Sequence, residues 1–147
     1  MSADATTIHA SAVLIGPRAA LIRGPAGAGK SRLVWDLLQS TLPFTRLVGD
    51  DRVHVQAASG HLLVRPAPAL AGMVEIRGLG IRRLPYEPVA VAGLVVDLTA
   101  ADAARFPAPE AANTAIEGVV LPRLAAAGGQ PALATVLGFL LAPPVGD

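Results

Sequence analysis

Eight consecutive residues, Gly24-Pro25-Ala26-Gly27-Ala28-Gly29-Lys30-Ser31, match the pattern G-x-x-x-x-G-K-[ST] in full. The chemistry of such a segment is phosphate binding. Its glycines let the backbone turn tightly, so that successive amides point inward at an anion. Lys30 can reach the terminal phosphates of a nucleotide, and the Ser31 hydroxyl suits Mg²⁺. A helix starting at this point adds the positive end of its dipole. Lys30 is also the single lysine of the chain, against eleven arginines. A compact ammonium on a flexible stem is not interchangeable with a planar fork, which marks the position.

Further along, Asp50 and Asp51 stand side by side at the end of an apolar run. One of two such carboxylates can hold Mg²⁺, directly or through water, while the other accepts a proton from an attacking hydroxyl. Glu75 and Arg77 alternate with Val74 and Ile76, which puts both on one side of a short strand. That pairing suits one metal contact and one phosphate contact. His9 could contact phosphate or steady the aspartates, although a lone histidine is usually structural. His54 and His61 alternate with apolar neighbours and read as solvent-facing.

The elements that must carry these groups follow from hydrophobic spacing. Ser11 to Ile15 and Ala19 to Ile22 are apolar runs split by Gly16-Pro17, and they read as paired strands ahead of the glycine-rich segment. From Ser31, the residues Leu33, Val34, Leu37 and Leu38 recur at helical spacing, so a helix runs to about Ser40 with Pro43 beyond it. Strands are expected at Arg46 to Val48, Val53 to Ala57 and His61 to Val64, the last two joined by a Ser59-Gly60 turn. Pro66 to Gly72 reads as a loop, and Met73 to Arg77 as a brief strand. Val89 to Leu98 is continuously apolar, as a strand buried on both faces would be. A short helix could start within Asp102 to Glu110, where Pro107 and Pro109 break it. Val119 to Leu121 and Ala132 to Leu141 read as a late strand and a final helix. The sum is an α/β fold, a mixed sheet with few flanking helices, in one domain over residues 1–147.

Composition narrows the function. Apolar residues form 52% of the chain and charged residues 16%, which favours a packed globule over a disordered segment. A net charge of +1 without blocks of either sign gives no footprint for nucleic acid or a membrane surface. The absence of cysteine excludes disulfides, thiolate metal sites and cysteine nucleophiles. The longest apolar tracts, Val89 to Val96 and Ala132 to Ala142, fall short of the roughly 20 residues that span a bilayer. Met1 to Ala10 carries Asp4 where a secretory signal would be basic. A cytoplasmic location is expected.

Three further segments, in order, resemble one family, the HPr kinase/phosphorylase of bacterial carbon regulation. Leu47-Val48-Gly49-Asp50-Asp51-Arg52-Val53 resembles its strand-end segment with paired aspartates. Val74-Glu75-Ile76-Arg77-Gly78-Leu79-Gly80-Ile81 is similar to its signature sequence. Ile8-His9-Ala10-Ser11 lies where the family carries a histidine. The resemblance implies a P-loop domain of the phosphoenolpyruvate-carboxykinase-like type and an ATP- and Mg²⁺-dependent kinase acting on a serine of the phosphocarrier protein HPr. It implies Asp50 as the base that activates that serine and as the acid in the reverse reaction with inorganic phosphate. Asp51 is then the supporting carboxylate and, with Ser31 and Glu75, a metal ligand. Homo-oligomers are expected from the same resemblance.

The chain resembles only the catalytic half of longer members, a short form of the alphaproteobacterial kind. Arg32 follows the Gly-Lys-Ser where the family has an acidic residue. Arg82-Arg83-Leu84-Pro85 replaces apolar residues in a partner-facing element. A C-terminal Gly-Arg-Asn-like segment is missing, and the nearest arginine is Arg123, in Leu121-Pro122-Arg123-Leu124 ahead of Ala125 to Gln130. These departures bear on the phosphorylase reaction more than on the kinase reaction, because phosphorolysis needs a second anion site. They also leave a nucleotide-responsive regulatory module without phosphotransfer as the alternative.

Overall fold

A computed structural model of the chain describes residues 6–128 and 131–145. The expectations for Asp4, and for Gly129 and Gln130 in the stretch after Arg123, fall on residues outside these. Eleven strands and two α-helices are present among the described residues. They are β1 (Thr6–Ile8), β2 (Ala10–Ile15), β3 (Arg18–Arg23), α1 (Lys30–Leu38), β4 (Thr45–Gly49), β5 (Val53–Ala58) and β6 (His61–Pro66). The second half holds β7 (Met73–Ile76), β8 (Gly80–Arg83), β9 (Ala90–Asp97), β10 (Asn113–Ile116), β11 (Val119–Ala125) and α2 (Ala132–Leu141).

Nine of the described strands form one mixed sheet in the order β1-β5-β6-β9-β3-β2-β4, with the β10–β11 hairpin attached through β11. β9 is its axis. Its first residues pair antiparallel with β6, and its last three pair parallel with β11 along the same edge. The opposite edge pairs parallel with β3. Three strands therefore end together, with Arg23 opposite Asp97 and Asp97 opposite Ala125. β2 runs antiparallel to both β3 and β4, so its first residues lie beside the last residues of both neighbours. This edge of the sheet collects the glycine-rich loop, the aspartate pair and Ser11, as strand carboxyl ends do in other α/β folds.

Alternation along the strands divides the core between the two faces of the sheet. Val13, Ala20 and Ile22 pack with Leu33, Val34 and Leu37 of α1 and Val136 of α2. Ala12, Ala19 and Leu21 pack on the other face with Val53, Val55, Leu62 and Val64, closed by Ile116 and Leu121 of the β10–β11 hairpin. Each Val, Leu or Ile among them contributes about 1.5–3 kcal/mol on burial, and each alanine methyl about 0.8 kcal/mol. β7 and β8 form a separate two-stranded ribbon, anchored by Val74 against the α1 side of the core.

The hairpin turns and most elements lie where hydrophobic spacing placed them. Ser59 and Gly60 both take positive φ (51° and 79°), the geometry of a tight turn whose twist matches its strands. The short helix expected to start within Asp102 to Glu110 is absent. A turn at Ala101-Asp102 and a 3₁₀ turn over Pro109–Ala112 stand there instead, because Pro107 and Pro109 remove the amides that a helix would need. Arg77 lies just past the end of β7, so that strand is one residue shorter than expected. β1, β8 and β10 were not anticipated. β8 (Gly-Ile-Arg-Arg) is exposed throughout and offers no apolar alternation to read.

Candidate active site

The glycine-rich loop leaves β3 at Gly24 and runs into α1 at Lys30. Gly29 takes φ 100°, a conformation that a side chain would strain, and it brings the chain into the first helical turn. Gly24 packs against Leu98, and an added Cβ there would lie 3.2 Å from the Leu98 Cβ. Lys30 is almost buried, and its ammonium donates to the carbonyls of Gly24 (2.8 Å) and Pro25 (3.2 Å). The side chain thus folds back over the loop that it terminates and braces its curvature.

Asp50 follows β4 and is 6% exposed. Its carboxylate accepts hydrogen bonds from two hydroxyls, Ser31 to Oδ2 at 2.7 Å and Ser11 to Oδ1 at 2.6 Å. No cationic side chain pairs with it among the described residues. A buried carboxylate without a countercharge is costly, and the Ser31–Asp50 pair of hard oxygens beside a glycine-rich loop is a donor set that suits Mg²⁺. Ser11, fully buried, also accepts from the Asp51 amide at 3.0 Å. It ties the backbone of one aspartate to the side chain of the other.

Asp51 adopts φ 70°, in the left-handed region that Asp tolerates better than most residues. That turn gives its side chain a different environment from that of Asp50. Its carboxylate is 56% exposed and meets His9 Nε2 at 2.7 Å. Five residues therefore form one continuous chain of hydrogen bonds: Ser31, Asp50, Ser11, Asp51 and His9. The sequence singled out four of them for their chemistry. Ser11 was quoted only as part of a motif, although a serine inside Ala10-Ser11-Ala12-Val13 signals a buried hydroxyl that must find partners.

Glu75 and Arg77 are both exposed on or beside β7, with no hydrogen bond or ion pair to the loop or the aspartates. No group of three or more His, Asp or Glu with metal-ligating geometry occurs among the described residues, so Glu75 does not join the aspartates. Arg32 sits on the exposed side of α1 near Asp36 (3.7 Å).

A second polar cluster, which sequence reasoning missed, lies on the other side of the loop. Arg23, the last residue before Gly24, donates to both oxygens of Asp97 at 2.7 and 2.8 Å. Arg123 donates to Asp97 at 2.5 Å and forks onto Asp102 at 2.8 and 2.9 Å. It also reaches the Ala111 carbonyl. Burial alone would raise the Asp97 carboxyl, but the hydrogen bonds from Arg23 and Arg123 outweigh it and hold the group below its ordinary value. Arg123 is pushed in the opposite direction, chiefly by Asp102 and then Asp97. No helix among the described residues is long and apolar enough to cross a membrane.

Comparison with known proteins bears on the same residues. The chain is 38% identical over 73 residues to an HPr kinase/phosphorylase of Mycoplasma mycoides, covering 50% of this chain and 22% of that protein. It is 41% identical over 80 residues to that of Streptococcus thermophilus, covering 54% and 25%. With that of Lactococcus lactis it shares 39% over 105 residues, covering 71% and 32%. The chain spans less than a third of the length of these curated relatives. The fold is similar to that of an Hpr(Ser) kinase/phosphatase from Coxiella burnetii, with a TM-score of 0.74 at 20% identity over 92% of this chain and 88% of the other. The sequence profile of the HPr serine kinase C-terminal domain matches residues 1–84, a stretch that contains the loop, Ser11, both aspartates and His9, and the chain belongs to that family.

Proposed function

We propose that this chain is an ATP-dependent kinase that phosphorylates a serine of HPr, built as a single P-loop domain of the phosphoenolpyruvate-carboxykinase-like type. The observation that carries the reading is the run of hydrogen bonds from Ser31 through Asp50, Ser11 and Asp51 to His9. It joins a phosphate loop to a half-exposed acid, the two parts that phosphoryl transfer to a hydroxyl requires.

The geometry favours exchanging the two aspartate roles that the resemblance implied. Asp50 is buried and bonded to the loop serine, a position from which it can hold a cation but can hardly meet a protein substrate. Asp51 is half exposed and oriented by His9, as a base for an incoming seryl hydroxyl should be. We therefore assign Asp51 as the base, His9 as the residue that aims it, and Asp50 with Ser31 as the Mg²⁺ ligands, directly or through water. Bound there, Mg²⁺ would neutralise charge on the β- and γ-phosphates. Lys30 would release the Gly24 and Pro25 carbonyls and turn onto the terminal phosphates. Loop amides and the α1 N-terminus would hold the remaining oxygens. As the seryl oxygen bonds to the γ-phosphorus and the bond to ADP breaks, the seryl proton passes to Asp51. Positioning and charge stabilisation would supply most of the rate.

Arg77 and Glu75 stand apart from this constellation in the free chain, so we give Arg77 a phosphate contact and Glu75 a metal contact only in the substrate complex. Arg123 is engaged by two aspartates, which favours the kinase direction over phosphorolysis. The reading places the protein in the cytoplasm. Exposed Phe139, Leu140 and Leu141 on α2 support self-association. The test is transfer of label from γ-³²P-ATP to purified HPr with Mg²⁺. Labelled phosphoserine is the expected product, and HPr that stays unlabelled while the chain binds nucleotide rejects the assignment.

A further inference from the structure

Arg23 and Gly24 join the sheet to the glycine-rich loop, and this junction is gripped from two directions. From the loop side, Lys30 binds the Gly24 and Pro25 carbonyls. From the sheet side, the Leu98 amide donates to the Arg23 carbonyl at 2.8 Å, and the Leu98 side chain packs on Gly24. Leu98 is itself fixed by its neighbour Asp97. The Asp97 carbonyl accepts from the Ala126 amide at 2.8 Å, and its carboxylate takes three hydrogen bonds from Arg23 and Arg123. One carboxylate, 16% exposed, thus ties together the ends of β3, β9 and β11 immediately before the loop begins.

We propose that Asp97 is a positioning residue for nucleotide binding, fixing the start of the glycine-rich loop through the Arg23 and Arg123 side chains. The inference rests on the reading of Gly24 to Ser31 as a phosphate loop. Its physical basis is the fork-on-carboxylate geometry, which restricts both distance and orientation of the Arg23 side chain. A backbone held in the shape that binds phosphate spends less affinity on ordering when the ligand arrives. Asp97 touches no reacting atom.

The experiment measures binding of a fluorescent ATP analogue with Mg²⁺ to the full chain and its variants. Asp97→Asn, which keeps the shape but loses the charge, is expected to weaken binding about tenfold, the equivalent of about 1.4 kcal/mol. Asp97→Glu, which restores the carboxylate, should recover most of that loss. A role limited to general stability would lower the melting temperature of both variants without this selective rescue. Asp102→Asn removes only the outer partner of Arg123 and should bind within about twofold of the unaltered chain, by the small worth of exposed ion pairs. A folded Asp97→Asn protein that binds like the unaltered chain overturns the proposal, as does equal loss in Asp97→Asn and Asp97→Glu. Should Asp97→Asn not fold, Arg123→Lys, which keeps the charge but not the fork, decides the matter: weaker binding supports the proposal and unchanged binding overturns it. Lys30→Ala separates the two layers of inference. If it binds as well as the unaltered chain, the phosphate-loop reading itself fails. If it loses binding while Asp97→Asn keeps it, only the positioning role falls.

Discussion

Two buried or half-buried aspartates flank the glycine-rich loop, one on each side in the sheet, and their carboxylates are met by different partners. Asp97, at the end of β9, is wrapped by two guanidinium groups and accepts three charged hydrogen bonds. Asp50, at the end of β4, is more deeply buried yet receives only two hydroxyls. A carboxylate saturated by arginine has spent its charge and can only hold structure. A carboxylate met only by hydroxyls has oxygen lone pairs left to offer a cation. The same residue type at the same end of one sheet thus meets arginines on one side of the loop and hydroxyls on the other, which is the basis for proposing a positioning role for Asp97 and a metal-binding role for Asp50.

The contrast can be broken most forcefully at the group between the two sides. Lys30→Ala removes the one lysine ammonium and the bonds to Gly24 and Pro25. Phosphotransfer is expected to fall by about 10²–10³-fold, the range for losing a preorganised charge donor, in a steady-state assay with HPr. If Asp97 is structural, Asp97→Asn should cost about 2–3 kcal/mol in denaturant unfolding at neutral pH. The pH dependence fixes the sign. Asp97 is held below its ordinary 3.8 by Arg23 and Arg123, so its contribution is complete above that value and fades as pH falls toward the lower folded value. The stability gap between the unaltered chain and Asp97→Asn should be flat at neutral pH and close only under acid. A smaller loss, about 1–2 kcal/mol, is expected for Ser11→Ala, which leaves Asp50 Oδ1 and the Asp51 amide short of a partner. That loss should come with slower transfer, because Ser11 holds the two aspartates in register. Thermal or urea unfolding of the same preparation checks it.

The two sides also differed in legibility. The loop, α1, the aspartate pair and the final helix could be read from local signals, namely glycine spacing, helical periodicity and adjacent acids. The Arg23–Asp97–Arg123 cluster could not. Its members are separated by 74 and 26 residues in sequence and meet only because β3 and β11 both pair with β9. Asp97, the last residue of an apolar strand, carried no local sign of its partners. Arg123 was noticed only as the arginine nearest a missing segment. Asp97, Asp102 and Arg123 also lie beyond the stretch matched to the family profile, which ends at residue 84. The difference in surroundings between Asp50 and Asp51 was equally hidden. Adjacent residues look alike in sequence, and only the positive φ of Asp51 and the buried hydroxyl of Ser11 give them different surroundings.

The most direct test is a single-turnover measurement of phosphotransfer from ATP to HPr, together with Mg²⁺-nucleotide affinity, for Asp50→Asn and Asp51→Asn side by side. If Asp51 is the base, Asp51→Asn binds nucleotide like the unaltered chain and transfers phosphate about 10²–10⁴-fold more slowly. Asp50→Asn should instead lose about 10–100-fold in metal-dependent affinity. Full transfer by Asp51→Asn, or lost nucleotide binding in that variant with Asp50→Asn unaffected, would contradict the assignment.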